Sequence, residues 1–196
     1  MCPYKGDEAA AGTRRPRPPV PRPTAHPKGF GRSSRSGAVS VPAWLVDEML
    51  GRLARYLRFV GCDTAYVRGA SDDELLELAG REHRVLLTRD RLLSRRCPSG
   101  FLLESPVLAE QWRAVRAAWP ALPTEVSFLR CTLCNGPLRE RAVDVALSAD
   151  PGLPPPVRSG SAALFACRDC GHLYWEGSHT AKIRERIAAW EREELR

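Results

Sequence analysis

No stretch of the 196-residue chain approaches the ~20 consecutive apolar residues that a membrane-spanning helix requires. The pair Arg14-Arg15 is followed by no apolar segment, which makes it a poor export signal. Both absences lead to the expectation of a soluble protein at work in the cytoplasm. The first forty residues also lack the means to fold. They hold seven prolines and five glycines, with Phe30 the only Phe or Trp. A run such as RRPRPPVPRP buries too little apolar surface to offset the entropy lost on ordering it. Residues 1–40 are therefore expected to form a disordered Arg/Pro-rich tail. The remainder lacks a charge imbalance. Six Arg and two Lys against Asp7 and Glu8 give the tail +6 of the formal +7, leaving 22 basic and 21 acidic side chains from Val41 onward. The basic pI is thus no evidence for a nucleic-acid-binding domain, although the tail suits salt-sensitive phosphate attraction as well as plain solvation.

Cysteine is plentiful. Seven is an odd number, and the pairs Cys131-Thr-Leu-Cys134 and Cys167-Arg-Asp-Cys170 dominate it. In a reducing compartment such pairs read better as metal ligands than as disulfides. Each presents two thiolates from one tight turn, half of a tetrahedral site. Four thiolates at ~2.3 Å close the coordination of Zn²⁺ and leave no position for a substrate. Asn135-Gly136 and Gly171 follow the two turns, letting backbone amides bend toward the sulfurs. The 32 residues between the knuckles exceed the usual ribbon spacing, but a longer loop adds only slowly to the closure entropy. A redox CxxC and a ligand role for His172 are the weaker alternatives. Cys2, Cys62 and Cys97 lack paired spacing and read as ordinary residues.

Between the tail and the knuckles, strands alternate with helices. Ala43 to Val46 is a short apolar run ending in Asp47, and Met49, Leu50, Leu53, Ala54, Leu57 and Val60 form a helical stripe stopped by Gly61. Asp63 to Val67 suggests a second strand, and Ser71-Asp-Asp-Glu74 reads as a capping box opening a second helix. Arg84 to Thr88 and Phe101 to Glu104 suggest two more strands, and Val107 to Trp119 a further helix. This order predicts an α/β fold with a mostly parallel sheet flanked by helices over 41–122, then a small β-rich zinc ribbon and a C-terminal helix over 125–196. Asp47 and Asp90 then fall just past the C-terminal ends of two strands, the edge where open α/β sheets build their sites. With the Asp72-Asp73-Glu74 cluster they offer oxygen ligands suited to Mg²⁺ or Mn²⁺, ions that activate water against a phosphodiester. Helix capping by Asp47 and Asp90, and complementing of a helix dipole by Asp72 and Asp73, is the structural alternative.

The segments LVDEMLGRLARYLRFVGCD, SDDELLELA, VLLTRD, CTLCNGPL and CRDCGHLYWEGSH occur in that order between Leu45 and His179. In them the chain resembles the Mut-seven C-terminal RNase domain family, a PIN-like domain with an attached zinc ribbon. The resemblance implies a metal-dependent ribonuclease acting on single-stranded RNA, with structural Zn²⁺ and catalytic Mg²⁺ or Mn²⁺. By position it makes Asp47 the first metal-binding acid, Asp72 or Asp73 the second and Asp90 the third. Many PIN nucleases carry a fourth acid shortly after the third. Here Arg91, Leu92 and Leu93 follow Asp90, which leaves Glu104 as a substitute from the next strand end. Arg52, Arg55 and Arg58 lie on one flank of the first helix, Arg89 adjoins Asp90, and His179 closes the last motif. As a functional set Arg52, Arg55, Arg58 and Arg89 would grip the phosphates of a strand, with His179 meeting phosphate or assisting proton transfer. The alternative is a solvated face pairing with Glu48 or Asp63, and a structural hydrogen bond from His179. A non-catalytic RNA- or ribosome-binding module is the competing expectation, and a protein-interaction ribbon beside a vestigial α/β domain is the third.

Overall fold

The structure, a computed structural model, describes residues 41–193. The tail expected at 1–40, and Cys2 within it, lie outside the described residues. Trp44-Leu45-Val46 forms β1 (Trp44–Val46), with all three side chains fully buried. Burial on both faces is the signature of a central parallel strand. β1 sits between β2 (Thr64–Tyr66) and β3 (Val85–Thr88), and β4 (Gly100–Leu102) flanks β3, giving an all-parallel order β2-β1-β3-β4.

The pleat sends alternate side chains to opposite faces. Trp44, Val46 and Leu87 meet a layer built from α1 (Gly51–Phe59) and α4 (Leu108–Ala118), whereas Leu45 and Leu86 meet α2 (Asp72–Arg81) and α3 (Arg91–Arg96). A single 3₁₀ turn, Glu48–Leu50, joins β1 to α1. Gly61 ends α1 at φ +89°, a conformation that a side chain disfavours. The capping box opening α2 is complete: Glu74 N–H donates to Ser71 Oγ, and Ser71 N–H donates to Glu74 Oε2 at 2.7 Å. Because β1 leads to β2 through one helical layer and β2 returns to β3 through the other, the sheet reverses between β1 and β3. That reversal opens a crevice at the C-terminal ends of the two strands.

The second sheet is antiparallel, β5 (Leu138–Arg141), β6 (Leu164–Cys167) and β7 (Leu173–Trp175) in that order. The insert between β5 and β6 carries two short helices, α5 (Val145–Ser148) and α6 (Pro155–Arg158). It has a small core of its own, Leu153 and Val157 against Leu164, with Leu147 and Trp175 packed beside them. The final helix, α7 (Ser178–Glu193), returns to the first layer. Its Ile183, Ile187 and Trp190 enter the core with Trp112 and Tyr56, the Trp190 ring centroid 5.8 Å and 4.8 Å from theirs. The parallel sheet, the ribbon and α7 accordingly belong to one compact unit. Among the described residues no helix is long and apolar enough to cross a membrane.

Candidate functional site

The two knuckles bring four sulfurs together. The Sγ atoms of Cys131, Cys134, Cys167 and Cys170 all lie within 4.8 Å of one another, with Cys131–Cys170 at 3.6 Å and Cys134–Cys167 at 3.4 Å. Thiolates ~2.3 Å from a tetrahedral Zn²⁺ stand ~3.8 Å apart, so the donor set fits that ion. The surroundings fit it too. Tyr174 on β7 accepts a hydrogen bond from Thr132 N–H at 3.1 Å, which leaves its own hydroxyl proton for Cys131 Sγ, also at 3.1 Å. Burial opposes ionisation of Cys131, but Tyr174 and the amides of Leu133 and Cys134 outweigh it and hold the thiol below its ordinary value. Burial pushes Cys134 and Cys170 up, Cys170 to about 11. Asn135 takes the left-handed conformation that the knuckle requires, φ +69°, and Gly136 leaves the room it needs: a Cβ there would stand 2.9 Å from Cys167 Sγ. His172 lies outside the cluster, its ring edge-on to Tyr174.

The first knuckle is bolted to the parallel sheet. Arg58, on α1, is only 4% exposed. Its Nε donates to Thr64 O at 2.8 Å, and its Nη1 to Leu133 O and Thr132 O at 3.1 and 3.2 Å. Arg58 therefore leaves the solvent-facing flank of α1 where helical spacing had put it. Asp63 accepts from Arg84 and Asn135 at 2.8 Å each and from Arg130 at 3.3 Å, while Asn135 Oδ1 accepts from Thr64 N–H at 2.9 Å. Burial alone would raise the Asp63 carboxyl. The donors Arg84 and Asn135, with the charges of Arg84 and Arg130, outweigh it and hold the group below the usual aspartate value. These contacts also cover Thr64 of β2, an edge strand of the sheet.

At the crevice between β1 and β3, Asp47 is 8% exposed and accepts Thr88 Oγ1–H through Oδ2 at 2.7 Å. Thr88 Oγ1 in turn accepts Asp90 N–H at 2.9 Å. One hydroxyl thus ties the two acids expected at the strand ends to a common point. Asp90 is exposed and caps α3, its Oδ1 accepting from Leu92 and Leu93 N–H at 2.7 and 2.9 Å. Asp47 Oδ1 and Asp90 Oδ2 take no hydrogen bond among the described residues. No Arg or Lys among them pairs with Asp47 either. The other three acids are paired with arginines. Asp72 and Asp73, exposed at the start of α2, both pair with Arg96 of α3, Asp72 at 3.5 Å. Glu104, past β4, pairs with Arg91 at 2.8 Å. Among the described residues the four cysteines are the only group of three or more candidate ligands whose donor atoms are gathered together. Asp47 and Asp90 share an anchor, and Asp72, Asp73 and Glu104 are each paired with an arginine.

Three of the five basic residues singled out in the sequence meet in one cleft. Arg52 and Arg55 of α1 and His179 of α7 line a cavity of ≈ 240 Å³ with Lys182, Arg186, Tyr56, Phe59 and Ile183. Lys182 and Arg186 follow His179 at helical spacing, a signal that the sequence carried but that the family motif, ending at His179, did not mark. Arg89 stands apart on the β3–α3 turn, half-buried, its Nε enclosed without a partner.

A parallel sheet with a reversed crevice, joined to a four-cysteine ribbon, is an architecture that known families can be compared with directly. The model of the Mut7-C RNAse domain matches residues 42–187, from just before β1 to the middle of α7. No curated protein and no solved structure matches the chain. The match spans both sheets, the four cysteines and the acids at the crevice, and on that evidence the chain belongs to the Mut7-C RNase domain family.

Proposed function

We propose that the protein is a metal-dependent ribonuclease hydrolysing phosphodiester bonds of single-stranded RNA at the β1–β3 crevice. The observation that carries the reading is Asp47: a carboxylate almost fully removed from water, held by one neutral hydroxyl and paired with no cation among the described residues. A buried charge in that condition is normally paired or bound to a metal. Mg²⁺ or Mn²⁺, bound through oxygen ligands, would activate water and neutralise the phosphate. Asp47 Oδ1 and Asp90 Oδ2 would hold it, and Thr88 fixes the rotamer of the first while setting the turn that presents the second. Asp72 or Asp73 would join by leaving Arg96, an exposed pairing of the kind worth ~0–1 kcal/mol. Arg52, Arg55 and His179 would hold the strand beside the crevice, Arg89 would steady the turn bearing Asp90, and the zinc ribbon would brace α1 through Arg58. The reading divides the chain into a tail, 1–40, a nuclease portion, 41–122, and a ribbon with its C-terminal helix, 125–196.

The second reading, an RNA-binding module without hydrolysis, draws on the pairing of Asp72 and Asp73 with Arg96, which leaves two acids at the crevice. Incubating the full chain with single-stranded RNA and Mn²⁺ or Mg²⁺, with and without Asp90→Asn, separates the two. Cleavage abolished by the substitution with RNA binding retained supports the nuclease. Binding without cleavage under either ion supports the module.

A further inference from the structure

The cleft between α1 and α7 has the chemistry of a track for one nucleic-acid strand. Five of its lining residues are basic or imidazole side chains: Arg52 and Arg55 from α1, and His179, Lys182 and Arg186 from α7. All five are exposed. No ion pair among the described residues uses Arg52, Arg55, Lys182 or Arg186, and no carboxylate lines the cleft. Arg186 is oriented by donating to Tyr56 Oη at 2.9 Å, and the floor is apolar, with Phe59 edge-on to the His179 ring, centroids 6.2 Å apart. Cations without counter-charges over an aromatic floor suit phosphates and bases of a single strand.

The cleft also has a direction. α1 and α7 run antiparallel, since Phe59 meets His179 while the earlier Tyr56 meets the later Arg186 and Trp190. One end, at His179, lies four residues past β7 of the zinc ribbon; the other, at Arg52, lies five residues past Asp47. From Arg52 to Phe59 the helix rises ~10 Å. We infer that this cleft conducts the phosphate backbone of a single RNA strand from the ribbon to the β1–β3 crevice, with Lys182 and Arg186 as strand-binding residues alongside Arg52, Arg55 and His179. The inference rests on the ribonuclease reading for its choice of RNA and deepens it by naming the path. Recognition through phosphate makes the path indifferent to base sequence. A duplex, whose backbones lie on either side of a wide minor groove, does not enter a cleft between two packed helices.

Lys182 provides a direct readout, because it is the only lysine in 41–193; Lys5 and Lys28 lie in the tail. The full chain, with no divalent cation added, is saturated with single-stranded RNA of mixed sequence and treated briefly with an amine-acetylating reagent. Mass spectrometry is expected to find Lys182 acetylated several-fold more slowly than in the free protein, with a duplex of the same sequence giving no such protection. In parallel, Arg55→Ala and Lys182→Ala are expected each to lower the slope of log affinity against log salt by about 0.7, the share of one phosphate contact on a single strand. Arg81→Glu, on the opposite helical layer, serves as a charge control. Unchanged acetylation of Lys182, equal protection by duplex, displacement of RNA by polyglutamate at equal charge concentration, or cleft variants that bind like Arg81→Glu would each overturn the inference. Protection without hydrolysis when Mn²⁺ is later added leaves the track standing and removes the ribonuclease. Hydrolysis without protection does the reverse.

Discussion

Replacing Arg58 with methionine tests whether the ribbon and the parallel sheet are one mechanical body. Methionine keeps an unbranched stem of similar reach but removes every donor. Three hydrogen bonds disappear, to Thr64 O, Thr132 O and Leu133 O. Bonds from a charged donor contribute ~1.5 kcal/mol or more each, which sets the gross loss near ~5 kcal/mol. Burial of the guanidinium works the other way: it lowers the Arg58 pKa, partly compensated by Cys131, Cys134, Tyr174 and Asp63. Relief of that desolvation returns ~1–2 kcal/mol, so the net destabilisation is ~3 kcal/mol. For a folded unit of this size each kcal/mol moves the Tm by ~2–4 °C, giving a drop of ~6–12 °C. Thermal unfolding followed by tryptophan fluorescence reports on Trp44, Trp112 and Trp190 in the main core, and a zinc-sensitive dye reports release from the ribbon. Both transitions are expected to fall together. A shift below ~1 kcal/mol by either probe, or zinc release moving alone, would refute the argument that Arg58 couples them.

Tyr174→Phe removes the hydroxyl that supports Cys131, and a loss of this kind weakens zinc binding by ~10-fold or more in competition with a chelator. Gly136→Ala forces a Cβ against Cys167 Sγ and the Asp169 carboxylate; the purified variant is expected to carry less than one zinc per chain by elemental analysis. Asp63, its folded pKa depressed, contributes stability that is fully present above the ordinary aspartate value of ~3.9 and is lost as the pH falls through the folded value. Denaturation curves of Asp63→Asn should therefore be lower at neutral pH and flatter than wild type below ~pH 4. Arg96→Ala releases Asp72 and Asp73, and Mn²⁺ titration monitored by electron paramagnetic resonance is expected to give tighter binding; unchanged affinity would remove both acids from the site.

Most of the architecture was legible because it is written in local patterns. The all-apolar Trp44-Leu45-Val46, the Ser71–Glu74 box and Gly61 each report on a neighbourhood of a few residues, and each stands in the structure as read. The cysteines were legible because their chemistry admits few alternatives at that spacing. What escaped depends on contacts distant in sequence. α3 has six residues and one buried side chain, Leu93, so no periodicity could announce it. The insert was read as a loop, yet Leu153 and Val157 find Leu164 and fold around it. Arg58 has the same spacing on α1 as Arg52 and Arg55, and only the arrival of the knuckle, 74 residues later, turns it inward. The pairing of Asp72 and Asp73 with Arg96 is invisible for the same reason, since the sequence marked α3 only through its cap, Asp90, and not through the residues it carries. Asp47 and Asp90 share Thr88, an anchor that lies inside the VLLTRD segment but carried no assigned role there.

The account stands on Asp47 as a metal-holding carboxylate, and single-turnover cleavage of labelled single-stranded RNA by the Asp47→Asn protein in Mn²⁺ addresses it directly. Asparagine keeps the shape and the hydrogen bond to Thr88 but halves the oxygen donors and removes the charge. The account predicts a rate at least ~100-fold below wild type, of the order that losing an essential electrostatic partner costs, with RNA affinity unchanged within a factor of about two. Cleavage at the wild-type rate would contradict it.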